Sequence, residues 1–168
     1  MAACRALLVL VVVALTLALA GCGFHLRGDV AYAFSSVYLN APADNPLTPE
    51  LRRAIEGTAH TRLTETAVGA EVVLDVTAVG DDKQVLSLSG GGRVREFLLI
   101  KRATIGLHDA EGRDWLPAAE ITVRRTYTFN EAQVLAREAQ EARLLKEMQS
   151  DIVQQIVRRL QAAHAPAG

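Results

Sequence analysis

The chain has 168 residues, half of them hydrophobic and 22% charged, and its 18 basic side chains nearly balance 19 acidic ones for a formal net charge of -1. That balance suits one folded domain and excludes a highly charged, disordered chain; with no Lys/Arg block there is no electrostatic footprint for nucleic acid, which is not expected as a partner. Both cysteines, Cys4 and Cys22, fall at the amino-terminal end, so neither a disulfide nor a cysteine zinc site is open to the folded body.

Arg5 precedes an apolar run from Ala6 to Ala20 that only Thr16 interrupts. A basic start followed by such a run is the layout of a secretory signal, and the run is shorter than the ~20 apolar residues that a helix needs to cross hydrocarbon. It closes in Leu19-Ala20-Gly21-Cys22, which resembles at every position the lipobox of bacterial lipoproteins. The resemblance implies removal of residues 1–21 and acylation of Cys22, with diacylglycerol on the thiol and palmitate on the new amino terminus. Several acyl chains hold a protein stably to a bilayer where a single one holds it marginally. Gly23 follows, in place of the aspartate that favours inner-membrane retention among lipoproteins, so delivery to the outer membrane is expected.

Residues 22–34 show no periodicity and read as a lipidated tether, 35–163 as a single periplasmic domain and 164–168 as a tail. Ser36-Val37-Tyr38-Leu39-Asn40 alternates as a short strand and runs into a Pro/Asp/Asn loop. Thr48 is then the expected N-cap of a helix, with Pro49 at its first position and Glu50 in its first turn. Leu51, Ala54, Ile55 and Ala59 share its apolar face, and its end is expected between His60 and Leu63. Val72, Leu74, Val76 and Ala78 share one side of an extended segment, with Asp75 and Thr77 on the other. This strand is expected to bend at Gly80-Asp81-Asp82 and to continue through Val85-Leu86-Ser87-Leu88.

Gly90-Gly91-Gly92 predicts a hairpin turn, Phe97 to Leu107 the next strand, Asp109 to Gly112 a second turn, and Ile121 to Phe129 the last strand. Asn130 and Gln133 have capping-box spacing at the start of a helical stretch that reaches about Ala163. Leu145, Met148, Ile152, Ile156 and Leu160 recur at three and four residues and form its apolar stripe. The expected fold is α+β, two helices packed on one mainly antiparallel sheet of about four strands in a two-layer sandwich.

Little in these residues points to bond chemistry. His25, His60, His108 and His164 are scattered over a tether, a helix end, a strand end and a tail, so no metal site is expected. The triple glycine lacks the Lys-Ser/Thr ending of a phosphate loop and joins two strands. Asp81-Asp82 and Asp109/Glu111 are carboxylate pairs of the kind a glycosidase uses, but each is expected in an exposed turn, where acids are solvated. There is no Gly-x-Ser-x-Gly elbow. No cofactor and no catalytic residue is assigned, and an enzyme is not expected.

Beyond the lipobox, Cys22-Gly23-Phe24-His25-Leu26-Arg27-Gly28 resembles the start of the mature chain in the LPS-assembly lipoprotein LptE family, and the order of strands and helices agrees over nearly the whole sequence. Arg125-Thr126-Tyr127 resembles that family's basic-then-aromatic strand end. The resemblance implies a two-layer domain that plugs the LptD β-barrel, helps it assemble, and contacts lipopolysaccharide on its way to the cell surface, facing the periplasm and the barrel lumen. Such a ligand, phosphorylated and acylated, calls for Arg or Lys beside apolar surface. Arg93 and Arg95 flank the glycine turn and precede Phe97-Leu98-Leu99-Ile100, forming the first candidate patch. Arg137, early in the last helix where the family also carries a basic residue, is the third candidate. Lys101 and Arg102 continue the strand on opposite faces, with Lys101 a weaker candidate. Arg125 falls on the side of Val123 and Tyr127 and is expected to pair with a carboxylate of the final helix. The same anchor would also serve a lipoprotein of another envelope system, such as an auxiliary subunit of a lipid-transport ABC complex or a secretin pilot.

Overall fold

The structure, a computed structural model, describes residues 31–42, 44–58, 60–128 and 134–166, the side chains of 134–137 excepted. The signal, Cys22, most of the tether and the Asn130/Gln133 pair lie outside the described residues. The elements run β1 (Ser36–Asn40), α1 (Thr48–Glu56), β2 (Arg62–Thr64), β3 (Val72–Leu88), β4 (Val94–Asp109), β5 (Asp114–Thr128) and α2 (Val134–Ala162). Two helices pack on one open sheet, as expected, but the sheet has five strands in the order β2-β1-β3-β4-β5 and is mixed. β1 runs parallel to both of its neighbours, while β3, β4 and β5 are antiparallel.

The additional strand comes from a segment that the sequence assigns to a helix end. Gly57 closes α1 with its N–H on Arg53 O at 3.0 Å, and the Thr58 hydroxyl donates to Ile55 O at 2.6 Å. The chain can then turn back, and Arg62–Thr64 pairs with Ser36–Tyr38. Thr61 and Thr64 donate their hydroxyls to Phe34 O and Val37 O at 3.2 and 3.3 Å, which pins a strand too short to carry any alternation of its own. The start of α1 is corrected as well. Its cap position is Leu47, with no side-chain cap bond, and Asn45 Oδ1 instead accepts the Leu47 N–H at 2.9 Å. Leu47 is fully buried, so the helix begins one residue early to seat that side chain, and Thr48 becomes its first residue.

β3 does not bend at Gly80. Gly80, Asp81 and Asp82 pair in continuous register with Arg102, Lys101 and Ile100, so Asp81 and Asp82 stand in a strand rather than in an exposed turn. The irregularity lies earlier, at a register shift between Val76 and Ala78. One extra residue in a strand reverses which side chains face the core. Val72, Leu74 and Val76 point inward before it and Val79 after it, with Ala78 left exposed. Residues 31–34, assigned to the tether by sequence, bring Tyr32 and Phe34 into the core, where their rings stack at 5.1 Å and Phe34 meets Trp115 edge-on at 6.1 Å. Burial pushes the Tyr32 phenol up to about 12.

The two ends of the sheet are held by different forces. Near the chain entry, Met148, Ile152, Ile156 and Leu160 of α2 cover Leu74, Val76, Ile105, Leu107 and Ile121, with Leu51 and Ile55 of α1 beside them, all at most 1% exposed. Toward the other end Leu144 and Leu145 pack against the core only partly buried, and charge adds to the hold on α2. Glu141 Oε2 accepts from Lys83 Nζ and from the Tyr127 hydroxyl, each at 2.5 Å, and Lys83 Nζ lies 4.5 Å from the centre of the Phe97 ring. Burial opposes the Lys83 charge, but its bonds to Glu141 and Tyr127 outweigh that and hold its pKa above the ordinary value. Arg125 pairs with Asp151, the expected link between the last strand and the final helix. Lys101, 3% exposed, reaches Asp81 at 2.5 Å.

A long β3 also leaves an open edge. β1 pairs only with Val72–Asp75, so from Val76 to Leu88 no other described strand lies along that side.

The division between apolar core and polar clasp sets an expected stability pattern. Ile152→Ala should cost about 2–5 kcal/mol in urea denaturation, whereas Glu141→Ala should cost about 1 kcal/mol because its bonds are partly solvated. Amide exchange should likewise be slower across 150–158 than across 138–146. The Asp109 carboxyl supplies a pH handle. Burial alone would raise its pKa, but the backbone N–H and guanidinium of Arg113 hold it below the ordinary value. A lowered pKa means that this stability is complete above the ordinary carboxylate value of about 4 and is lost as pH falls through the lowered one. Asp109→Asn should therefore lower the melting temperature at neutral pH, and the gap to the parent chain should close in acid.

Candidate functional site

Both β-hairpins use the same turn. In each, the first residue receives a bond from the fourth and gives one to the carbonyl of the fifth: Gly92 N to Ser89 O at 2.9 Å and Ser89 N to Arg93 O at 2.7 Å, then Gly112 N to Asp109 O and Asp109 N to Arg113 O, both at 3.1 Å. Gly92 and Gly112 take φ of 76° and 78°, the left-handed conformation that this turn needs and that glycine adopts without steric cost. The two turns differ in how they are stapled. Asp109 accepts the N–H groups of Glu111 and Arg113 at 3.1 and 2.8 Å and the Arg113 guanidinium at 2.8 Å. It is 5% exposed, so it is a structural brace and not the solvated turn acid expected from sequence. In the β3–β4 turn the Ser89 hydroxyl accepts the Arg93 N–H at 3.2 Å. Gly90 and Gly91 have open space where a Cβ would stand.

The β3–β4 turn is the one that carries Arg93 and Arg95. Both are exposed, and Arg95 lies at a register shift where Ser87 pairs with Glu96 and Leu88 with Val94. The apolar run after Arg95 is only partly accessible, Phe97 and Leu98 being half-buried. Leu99 and Ile100 are 1% and 4% exposed, Leu99 in the core cluster, and Phe97 lies beneath Lys83 and beside Tyr127. More accessible apolar surface at this end lies on β3, where Val85, Leu86 and Leu88 are 52%, 50% and 58% exposed. A comparison of strand lengths could have found them, since a five-residue β1 cannot flank a strand that runs to Leu88.

Lys101 is withdrawn from ligand contact by burial and by its pairing with Asp81. Arg102 points to the opposite side and approaches Glu120 at 4.0 Å. Arg137 is placed by its backbone in the first turn of α2. The end of β3, the start of β4, the end of β5 and the start of α2 all lie at one end of the sheet, because Glu96 pairs with Thr128 and α2 follows β5. Arg93, Arg95 and the backbone of Arg137 therefore share that end, and the chain arriving from Cys22 enters at the other, beside Trp115.

The open face of the sheet carries a polar row. Asn40 Nδ2 donates to Asp75 Oδ1 at 2.6 Å, and His108 Nε2 lies 3.2 Å from Asp75 Oδ2. Among the described residues there is no group of three or more His, Cys, Asp or Glu able to hold a metal, and no described helix is long and apolar enough to cross a membrane.

Comparison with known proteins agrees with this architecture. A solution structure of an uncharacterized lipoprotein B from Nitrosomonas europaea superposes with a TM-score of 0.73 at 38% identity, over 83% of this chain and 91% of that one. A minor lipoprotein from Acinetobacter baumannii superposes at 0.63 and 25% identity, over 79% and 94%. The LPS-assembly lipoprotein LptE of Pectobacterium atrosepticum is 28% identical over 146 residues, 84% of this chain and 77% of its own length. The family model for LptE, described as Lipopolysaccharide-assembly, matches residues 34–160. The chain thus belongs to the LptE family of lipopolysaccharide-assembly lipoproteins, a family of assembly factors and not of enzymes.

Proposed function

We propose that this chain is an outer-membrane lipoprotein, anchored through an acylated Cys22 after loss of residues 1–21, that plugs and helps assemble the LptD β-barrel and binds lipopolysaccharide in transit to the cell surface. The observation that carries the reading is the gathering of Arg93, Arg95 and the first turn of α2 at the end of the sheet remote from the chain entry. Arginine suits phosphate because its planar fork offers paired donors. From Val72 to Leu88 the strand extends roughly 50 Å at about 3.3 Å per residue, more than the hydrocarbon thickness of about 30 Å. A body moored near its chain entry at the periplasmic leaflet can thus hold its basic tip across the membrane, provided that a barrel encloses it. Tyr38, Asn40, Asp75 and His108 on the open sheet face supply polar surface for a water-filled lumen.

The anchor is tested by Cys22→Ala, which should move the protein from the membrane to the soluble fraction. An affinity-tagged chain recovered from solubilised outer membranes should bring down a large β-barrel; recovery of an inner-membrane permease or a secretin would overturn the reading. Charge-assisted hydrogen bonds are worth about 1.5–3 kcal/mol each, so Arg93→Ala with Arg95→Ala should weaken lipopolysaccharide binding at least about ten-fold. Because both side chains are exposed, the melting temperature should not change.

A further inference from the structure

The stripe by which α2 faces the sheet changes character toward the tip. Leu160, Ile156, Ile152 and Met148 are fully buried, and Leu144 and Leu145 pack on the same core. The next place on that face belongs to Glu141, whose Oε2 accepts from Lys83 Nζ and from the Tyr127 hydroxyl, each at 2.5 Å. Residues four apart in a helix share a face, so the stripe continues one turn earlier at position 137, which lies within α2 by its backbone. A carboxylate is costlier to bury than a leucine side chain, yet Glu141 keeps only 23% of its side-chain surface exposed. Helix packing alone does not call for it there.

The contacts of Glu141 fix where position 137 stands. Its partners come from β3 and β5, and between them on β4 is Phe97, which pairs with Tyr127 on one side and with Val85 on the other. From Glu141 back to position 137 the helix advances about 6 Å, at about 1.5 Å per residue. From Phe97 back to Arg95 the strand advances about 6–7 Å, at about 3.3 Å per residue. Both steps lead toward the tip, where α2 and β4 begin. Position 137 and Arg95 are therefore one equal step beyond the same clasp. Arg95 is also released from regular pairing, since Glu96 pairs with Ser87 and Val94 with Leu88.

We propose that Glu141, with Lys83 and Tyr127, is a positioning residue for lipopolysaccharide binding: it sets the rotation and depth of the first turns of α2, so that Arg137 and Arg95 engage one phosphorylated ligand together. This rests on the reading above of Arg93, Arg95 and Arg137 as the ligand's contacts, and it adds the device that presets their spacing. The positioning group carries the same sign of charge as the ligand, which makes the proposal separable from simple electrostatics. Deleting a carboxylate beside a basic site strengthens anion binding where charge alone governs it. Deleting a positioning group weakens binding.

The test is a double-mutant cycle on the full chain solubilised from membranes, with purified lipopolysaccharide as the probe and affinity measured well below the melting temperature. Arg137→Ala alone should weaken binding, and Glu141→Ala alone should weaken it about five-fold; in the Arg137→Ala background Glu141→Ala should add nothing, because residues that act through one another are not additive. Tyr127→Phe keeps the ring, loses the hydroxyl, and should weaken binding with the same dependence on Arg137. Unchanged or tighter binding by Glu141→Ala, or no effect of Arg137→Ala, would overturn the proposal and leave the proposed function standing on Arg93 and Arg95. An equal loss from Glu141→Ala in both backgrounds would also overturn it, because the clasp would then serve the fold alone. Failure of the parent chain to bind lipopolysaccharide would overturn both.

Discussion

The fold depends on the burial of one helical stripe. Met148, Ile152, Ile156 and Leu160 form the only extensive apolar cover over Leu74, Val76, Ile105, Leu107 and Ile121 among the described residues, and α1 completes the layer by packing beside α2. Removing apolar side chains from water is worth about 1.5–3 kcal/mol for each one fully buried, and no other interaction here approaches that sum. Gln149 adds direction to the packing, donating to Pro46 O at 3.0 Å where the chain enters α1. Leu144 and Leu145, partly buried, still pack against this core, and before them the 29-residue helix is held by other means.

Those other means are polar. Lys83, Tyr127 and Glu141 form that clasp, and Arg125 with Asp151 adds an ion pair beside the apolar stripe, both on the helix side of the sheet. Ion pairs with partly solvated members are individually weak, so the sheet has a firm end and a yielding end. The same contrast recurs in the turns, which share a backbone design and differ in their bracing: a buried aspartate with an arginine partner near the chain entry, and a serine hydroxyl beneath three glycines at the tip. A molecule firm at one end and adaptable at the other suits surface contact better than it suits chemistry, which needs groups held to a fraction of an ångström.

Membership of a lipopolysaccharide-assembly family fits a structure whose functional features lie on its surface. The depressions near Arg143 and Asp151 and near Ser35 and Arg62 are open and shallow. Surface contact through a hairpin tip asks for exposed arginines next to exposed apolar side chains, the pairing found at the β3–β4 turn. It also asks for length, and β3 supplies it by running well past its neighbour β1.

Much of this was legible in the sequence because it is local. Alternation revealed β1 and the core sides of β3 and β5, glycine placed both turns, three-and-four spacing marked the α2 stripe, and the parity of Val123, Arg125 and Tyr127 predicted the ion pair with α2. Where the outcome depended on residues distant in the chain, the sequence was silent or misleading. β2 exists because Thr61 and Thr64 find carbonyls of the segment around β1, twenty-seven positions earlier. Leu47 displaced Thr48 from the cap because a core position awaited it. The strand runs straight through Gly80-Asp81-Asp82 because β4 offers a continuous ladder there, and Asp81 has Lys101 to neutralise. The hydrophobic run at Phe97–Ile100 and the run at Val85–Leu88 look alike as strings. Only tertiary structure decided that the first is half covered and the second open, since burial is a property of what neighbours a strand and not of the strand's own residues.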